Sequence, residues 1–233
     1  MSRPKYVGLV PARAGSQGIK GKNLKKIGDR TLVQIAIEAA ISSGVIDCVV
    51  VSSDGLEILS EASLHDAIPH QRPAQFATND SLAREVVFDF LESPTGKELD
   101  PKDYIVYLQP TSPFRNSQHI IEAIELSKAH MPKSVVSIVK IQATLEKLVQ
   151  VENFSIKPLD SVVSSPSSNR QDLTEVVTAN GAIYVFSKES FLTYGDIPIL
   201  GSIPYLMSSV DSIDVDSVED LMFARLLKER RND

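Results

Sequence analysis

The chain is expected to fold as an α/β protein built on a mostly parallel sheet with helices on both faces. Two observations predict this. Short runs rich in Val, Ile and Leu alternate with amphipathic stretches through the first 140 residues. The connections between them are also short, as crossovers between parallel strands covered on both sides require.

The elements follow in order. Tyr6–Pro11 reads as the first strand, and a Gly/Lys loop occupies residues 12–23. Leu32–Ile41 has Leu32, Ile35, Ala36, Ala39 and Ala40 at helical spacing, and Gly44 sits where a glycine ends a helix. Residues 48–52 form a second strand. Asp54 stands at the N-cap position of a helix over Leu56–Leu64. An extended piece near Ile68 and a helix over 81–91 come next. The strand at 104–108 stops at the turn Gln109-Pro110-Thr111-Ser112-Pro113. Asn116 caps a helix reaching about Ala129, and residues 134–141 are strand-like. Residues 142–180 break the pattern, being rich in Ser, Asn and Gln without a long amphipathic helix. They read as a hairpin plus a long loop inserted into a single domain spanning 1–233, suited to closing over substrate or packing on a partner chain. Strands at 182–186 and 213–215 and a helix at 218–227 complete the chain.

Composition narrows the function. The 233 residues carry 24 Lys+Arg against 30 Asp+Glu, a formal charge of −6 that offers no general basic field for nucleic acid. A negative protein binds a negative substrate through a local cationic loop or a metal. The one cysteine, Cys48, cannot form an internal disulfide or a cysteine-based zinc site, and reads as a small strand residue. His65, His70, His119 and His130 lack metal spacing. No apolar run approaches the ~20 residues of a membrane span, and the N-terminus lacks a signal-peptide core. A cytoplasmic protein without membrane or nucleic-acid partners is the expectation.

The most informative segment is Pro11-Ala12-Arg13-Ala14-Gly15-Ser16-Gln17-Gly18-Ile19-Lys20-Gly21-Lys22-Asn23, directly after the first strand. In open α/β sheets, ligands bind beyond the C-terminal strand ends. Gly15, Gly18 and Gly21 let backbone N–H groups turn inward as an anion nest. Arg13, Lys20 and Lys22 add a bidentate fork and point charges suited to phosphate. The glycine spacing matches no dinucleotide fingerprint. Ser16 and Asn23 also break a Walker loop, so the competing reading is a solvated basic turn. Asp214 and Asp216, two apart on an expected strand, point to one face and can meet one hard cation such as Mg²⁺. The competing reading makes them part of an acidic helix N-terminus with Glu219 and Asp220.

Together these residues resemble a known family. Ala12-Arg13-Ala14-Gly15-Ser16 continuing to Lys22-Asn23 is similar to the signature of the cytidylyltransferases that activate sialic, legionaminic and pseudaminic acids. Further matches follow in order: Val51-Ser52-Ser53-Asp54, Arg72-Pro73-Ala74, Asp80-Ser81, Leu108 through Arg115, Arg170-Gln171, Asn180-Gly181-Ala182-Ile183-Tyr184 and Asp211 through Asp216. The resemblance implies a Rossmann-like nucleotidyltransferase sheet of the glycosyltransferase-A type. It also implies a homodimer in which about 142–180 swaps towards the neighbour's site. The implied reaction joins CMP from CTP to the anomeric hydroxyl of a nine-carbon acidic sugar, with Mg²⁺ and release of pyrophosphate.

The same resemblance assigns roles. Arg13, Ser16, Gln17 and Lys22 hold the triphosphate, with Arg13, Lys22 and Asp216 catalytic. Asn23 touches ribose or phosphate. Arg72, Asp80 and Ser81 read cytosine, and Gln109, Arg170 and Tyr184 meet the sugar. Asp214 and Asp216 hold the metal. Thr178 stands where sialic acid enzymes often carry arginine, which brings diacetamido sugars such as legionaminic acid into play. Two other readings remain open: a nucleotidyltransferase for 3-deoxy-octulosonate or a sugar 1-phosphate, and a non-catalytic nucleotide-binding module.

Overall fold

The Val-rich runs become the middle of the sheet. In the computed structural model, residues 3–15, 18–144, 149–152, 155–158 and 175–231 are described. Strand β1 (Tyr6–Pro11) leads through the glycine loop and a 3-10 turn (Lys22–Leu24) to a small hairpin, β2 (Lys26–Ile27) and β3 (Arg30–Thr31). Helix α1 (Leu32–Ile41) follows, then β4 (Cys48–Ser53), α2 (Leu56–Leu64), β5 (Ile68–Gln71), a 3-10 turn (Ala74–Phe76), α3 (Ala83–Glu92), α4 (Pro94–Lys97) and β6 (Tyr104–Tyr107). The second half comprises α5 (Ser117–His130), β7 (Ser134–Thr144), β8 (Val149–Glu152), β9 (Ser155–Pro158), β10 (Glu175–Ser187), α6 (Lys188–Tyr194), β11 (Ile203–Leu206) and α7 (Val218–Arg231).

The main sheet has the order β11-β7-β10-β6-β1-β4-β5. β10 runs antiparallel to both of its neighbours, and the other pairs are parallel. Both faces are covered, so alternate residues of one strand enter different cores. Tyr6 and Val10 pack with Val33, Ile37 and Ile120 of α1 and α5. Val7 and Leu9 pack with Val87 and Phe90 of α3 and Phe191 of α6. A third cluster seats α7, through Leu221 and Ala224, against Leu32, Ile27, Phe114 and Val215.

Capping chemistry fixes the helix starts. Asn116 Oδ1 accepts from His119 N at 3.1 Å, as expected for α5. α1 begins with a capping box in which Gln34 N donates to Thr31 Oγ1 at 3.2 Å.

Several expectations are corrected. Asp54 does not cap α2, whose N-cap is Gly55; its carboxylate instead accepts from Ala14 N at 2.8 Å, tying the glycine loop to β4. Helix α3 begins at Ala83, leaving Ser81 in the preceding turn. The strand expected at 182–186 begins at Glu175, inside the expected insertion, because its first half pairs with β7 alone. Residues 213–215 join no strand: Val215 N donates to Thr111 O at 2.8 Å. The expected hairpin is present as β8 paired with β9. The long loop expected after it lies outside the described residues.

Candidate active site

The C-terminal ends of β1, β5 and β6 border a cleft of about 310 Å³, closed by the 214–216 segment from far along the chain. Arg13, Lys22, Asn23, Arg72, Ser81, Gln109, Asp214 and Asp216 all line it. Eight residues singled out from sequence thus share one cavity. Ser16, Gln17 and Arg170 lie outside the described residues. Asp80 is exposed in the turn before α3 and does not line the cleft. Tyr184 is half-buried on β10 and is not among the lining residues either, its ring edge-on to Tyr107 with centroids 6.3 Å apart.

The glycine loop is held from three sides. Asn23, 5% exposed, donates through Nδ2 to Arg13 O at 2.8 Å, so its amide braces the loop as well as facing the cleft. Arg13 Nη1 donates to Thr78 O at 3.0 Å and to Asn79 Oδ1 at 2.6 Å. Ser81 Oγ accepts from Thr78 N at 3.0 Å and closes that same turn. Gly18 completes the arrangement: a Cβ there would lie 2.3 Å from Asp216 O, so only glycine lets the loop meet the acidic segment.

Lys22 Nζ donates to Asp216 Oδ1 at 2.7 Å and joins the loop to the acidic segment electrostatically. Asp214 and Asp216 both line the cleft and both keep exposed surface. Burial, then the neighbouring Asp216 carboxylate, push Asp214 above the usual carboxylate range, while a hydrogen bond from Thr111 and the charge of Lys22 oppose the rise. These two carboxylates can hold a metal. No group of three or more His, Cys, Asp or Glu suited to a metal occurs among the described residues. A hard-oxygen pair facing an open cleft fits Mg²⁺, which keeps most of its coordination for water and substrate phosphates.

Arg72, 4% exposed, forms part of the wall. Its Nη2 donates to Ser52 O at 2.7 Å, and Nε is buried without a protein partner. Burial lowers its basicity, offset in part by Tyr107, Asp54 and Asp89. Ala83, Val86 and Tyr107 add apolar lining to the same cleft. Sequence reasoning missed these three, because in sequence they look like core. Burial raises the Tyr107 phenol well above its ordinary value, so it remains protonated.

A mostly parallel sheet whose strand ends carry a cationic glycine loop in contact with a carboxylate pair defines a nucleotide-binding α/β protein of the nucleotidyltransferase type. Solved structures agree on the fold. One is a CMP:2-keto-3-deoxy-manno-octonic acid synthetase complexed with CTP, with TM-score 0.73 and 14% identity, covering 97% of this chain and 99% of that one. Another is a 4-diphosphocytidyl-2C-methyl-D-erythritol synthase, with TM-score 0.68 and 17% identity over 97% of this chain and 99% of that one.

The chain belongs to the cytidylyltransferase family, whose model matches residues 7–213. It is 29% identical, over 99% of its length, to the N-acylneuraminate cytidylyltransferase of Escherichia coli O18:K1:H7, and spans 54% of that protein. It thus covers about half the length of the curated relatives it matches first. Over nearly full length on both sides it is similar to the CMP-N,N'-diacetyllegionaminic acid synthase of Legionella pneumophila, with 28% identity over 97% of each chain. The pseudaminic acid cytidylyltransferase of Campylobacter jejuni is 26% identical over 94% of each.

Proposed function

We propose that this chain transfers CMP from CTP to the anomeric hydroxyl of a nine-carbon acidic sugar. The sugar oxygen forms a bond to the α-phosphorus, the bond from that phosphorus to the β-bridging oxygen breaks, and pyrophosphate leaves. The observation that carries this reading is the meeting of the glycine loop and the acidic pair in one cleft, through Lys22 and Asp216 at 2.7 Å. Phosphoryl transfer of this kind depends on charge neutralisation and in-line positioning rather than covalent catalysis.

Arg13 and Lys22, with Ser16 and Gln17 of the same loop, hold the triphosphate. Asn23 keeps the loop in shape and faces the ribose. Arg72 and Ser81 read the cytosine edge, with Ala83, Val86 and Tyr107 against its face. Gln109 contacts the sugar, and Arg170 meets its carboxylate. Asp214 and Asp216 would hold Mg²⁺, which supplies neutralising charge at the phosphates when bound. Tyr184 would meet the sugar from beside the cleft; burial, then the charge of Asp214, hold its phenol above the ordinary value. In this reading the enzyme works as a cytoplasmic homodimer. No helix among the described residues is long and apolar enough to cross a membrane.

The names of the relatives support a nonulosonic acid, and Thr178 on β10 supports a diacetamido sugar beside N-acetylneuraminate. The test is pyrophosphate release from CTP and Mg²⁺ with N-acetylneuraminate, N,N'-diacetyllegionaminate, pseudaminate and 3-deoxy-octulosonate. Fast release with one nonulosonate is expected. Release with 3-deoxy-octulosonate alone, or CTP binding without release from any sugar, would overturn the proposal.

A further inference from the structure

Gln109 and Gly181 come from segments about seventy residues apart and meet at the edge of the cleft. Gly181 has φ +75°, a left-handed conformation, within the bulge where the pairing of β10 with β7 shifts register between Ala179 and Tyr184. A Cβ on Gly181 would lie 2.7 Å from Gln109 Oε1, and no backbone atom is comparably close. The bulge is fixed independently of Gln109. Asn180 Oδ1 accepts from Ser137 Oγ at 2.5 Å and from Ala182 N at 3.1 Å, and Asn180 Nδ2 donates to Ser212 Oγ at 2.8 Å.

The backbone of Gln109 is fixed too. Arg115, 1% exposed, uses Nη1 to reach both Gln109 O and Ala182 O at 3.2 Å, strapping the turn after β6 to the bulge. With both backbones held, the carboxamide of Gln109 is the part free to move. Its resting place is the space left by the missing side chain at position 181.

We propose that Gly181 is a positioning residue: the absence of a Cβ on the β10 bulge seats the Gln109 carboxamide where it meets the acidic sugar. This rests on the assignment of Gln109 to the sugar made above. A Cβ at 181 displaces the carboxamide and leaves the nucleotide half of the cleft alone. The two contributions of glycine, its φ and its empty space, are separable. Alanine brings both strain and a Cβ, whereas asparagine tolerates a left-handed backbone yet still carries a Cβ.

The test is steady-state pyrophosphate release by the full chain. CTP and sugar are varied separately, using N-acetylneuraminate or N,N'-diacetyllegionaminate, whichever turns over faster. Gly181→Ala and Gly181→Asn are each expected to raise the sugar KM about tenfold, the scale of one hydrogen bond to a polar ligand, with the CTP KM within about twofold of wild type. In a Gln109→Ala background the same substitutions are expected to add less than about twofold, because what they displace is gone. An undiminished loss in that background overturns the proposal, as does a CTP KM rising in step with the sugar KM. A wild-type sugar KM in Gly181→Asn would place the requirement in φ alone and also overturn it. Should Gly181→Ala fail to fold, Gly181→Asn carries the comparison. If Gln109→Ala itself leaves the sugar KM unchanged, the sugar role of Gln109 falls, and the positioning role with it.

Discussion

Replacing Lys22 with methionine keeps the length of the side chain and removes its charge. Lys22 Nζ lies 2.7 Å from Asp216 Oδ1, with the lysine side chain 15% exposed and the aspartate 72% exposed. An ion pair with so exposed a partner contributes about 0–1 kcal/mol to stability. For a chain of this size that is a melting shift of no more than about 4 °C. The functional loss is larger. A charge-assisted hydrogen bond to a phosphate oxygen contributes about 1.5–3 kcal/mol, and each 1.4 kcal/mol is a factor of ten in rate, so kcat/KM for CTP should fall about 10- to 100-fold. Initial rates of pyrophosphate release, measured beside a thermal melt, separate the two effects. A folded Lys22→Met variant with kcat/KM within about twofold of wild type would remove Lys22 from the mechanism. A rate loss accompanied by a melting drop beyond about 10 °C would mean that Lys22 acts through the fold.

Gly18→Ala places a methyl 2.3 Å from Asp216 O, so turnover should fall at least about tenfold as loop and acidic segment separate, read in the same assay. Asp103 is 2% exposed and accepts from Lys5 N and Asp100 N at 2.8 and 2.9 Å, at the end of β6 away from the cleft. Asp103→Ala strands both N–H groups, at a cost of about 2–4 kcal/mol, and should lower the melting temperature by about 5–15 °C while turnover at 25 °C is kept. Burial holds His119 below the ordinary histidine value, against the opposing charges of Asp211 and Glu122, and its neutral Nδ1 accepts from Asn116 N at 3.2 Å. The unfolded chain therefore takes up a proton first, and stability should fall as pH drops through about 6.5. Melts between pH 8 and 5.5 should show a steeper loss in wild type than in His119→Gln, and proton NMR should place the ring below the ordinary range.

Much of this architecture was legible in the sequence, because burial on both faces leaves β1, β4 and β6 as unbroken apolar runs. The glycine loop and Asn116 cap were legible through local chemistry. Other features had no local signal. The first half of β10, from Glu175 to Ala179, is largely exposed and carries no apolar pattern, since only β7 pairs with it. β11 hides because it is a short edge strand that contains Pro204, which sheet interiors do not tolerate. Asp54 imitates an N-cap but serves a contact 40 residues away. Ile213 and Val215 are apolar because they pack in the cluster that seats α7 and Phe114, not because they join the sheet. The charged half of the cleft was readable because loops display chemistry. Its apolar lining, Ala83, Val86 and Tyr107, was not, because in sequence such residues are indistinguishable from core.

The contact between Lys22 and Asp216 spans 194 positions of the chain. Closing a loop of that length carries an entropic cost, and contacts of large sequence separation slow folding. Strands β1, β4 and β5 can assemble with their helices before the acidic segment docks. If the chain carries out the proposed reaction, refolding is expected to restore circular dichroism before pyrophosphate release, and recovery of both signals together would refute late docking of residues 211–217. Under the proposed function, pyrophosphate release would then report the docking of the segment that completes the cleft.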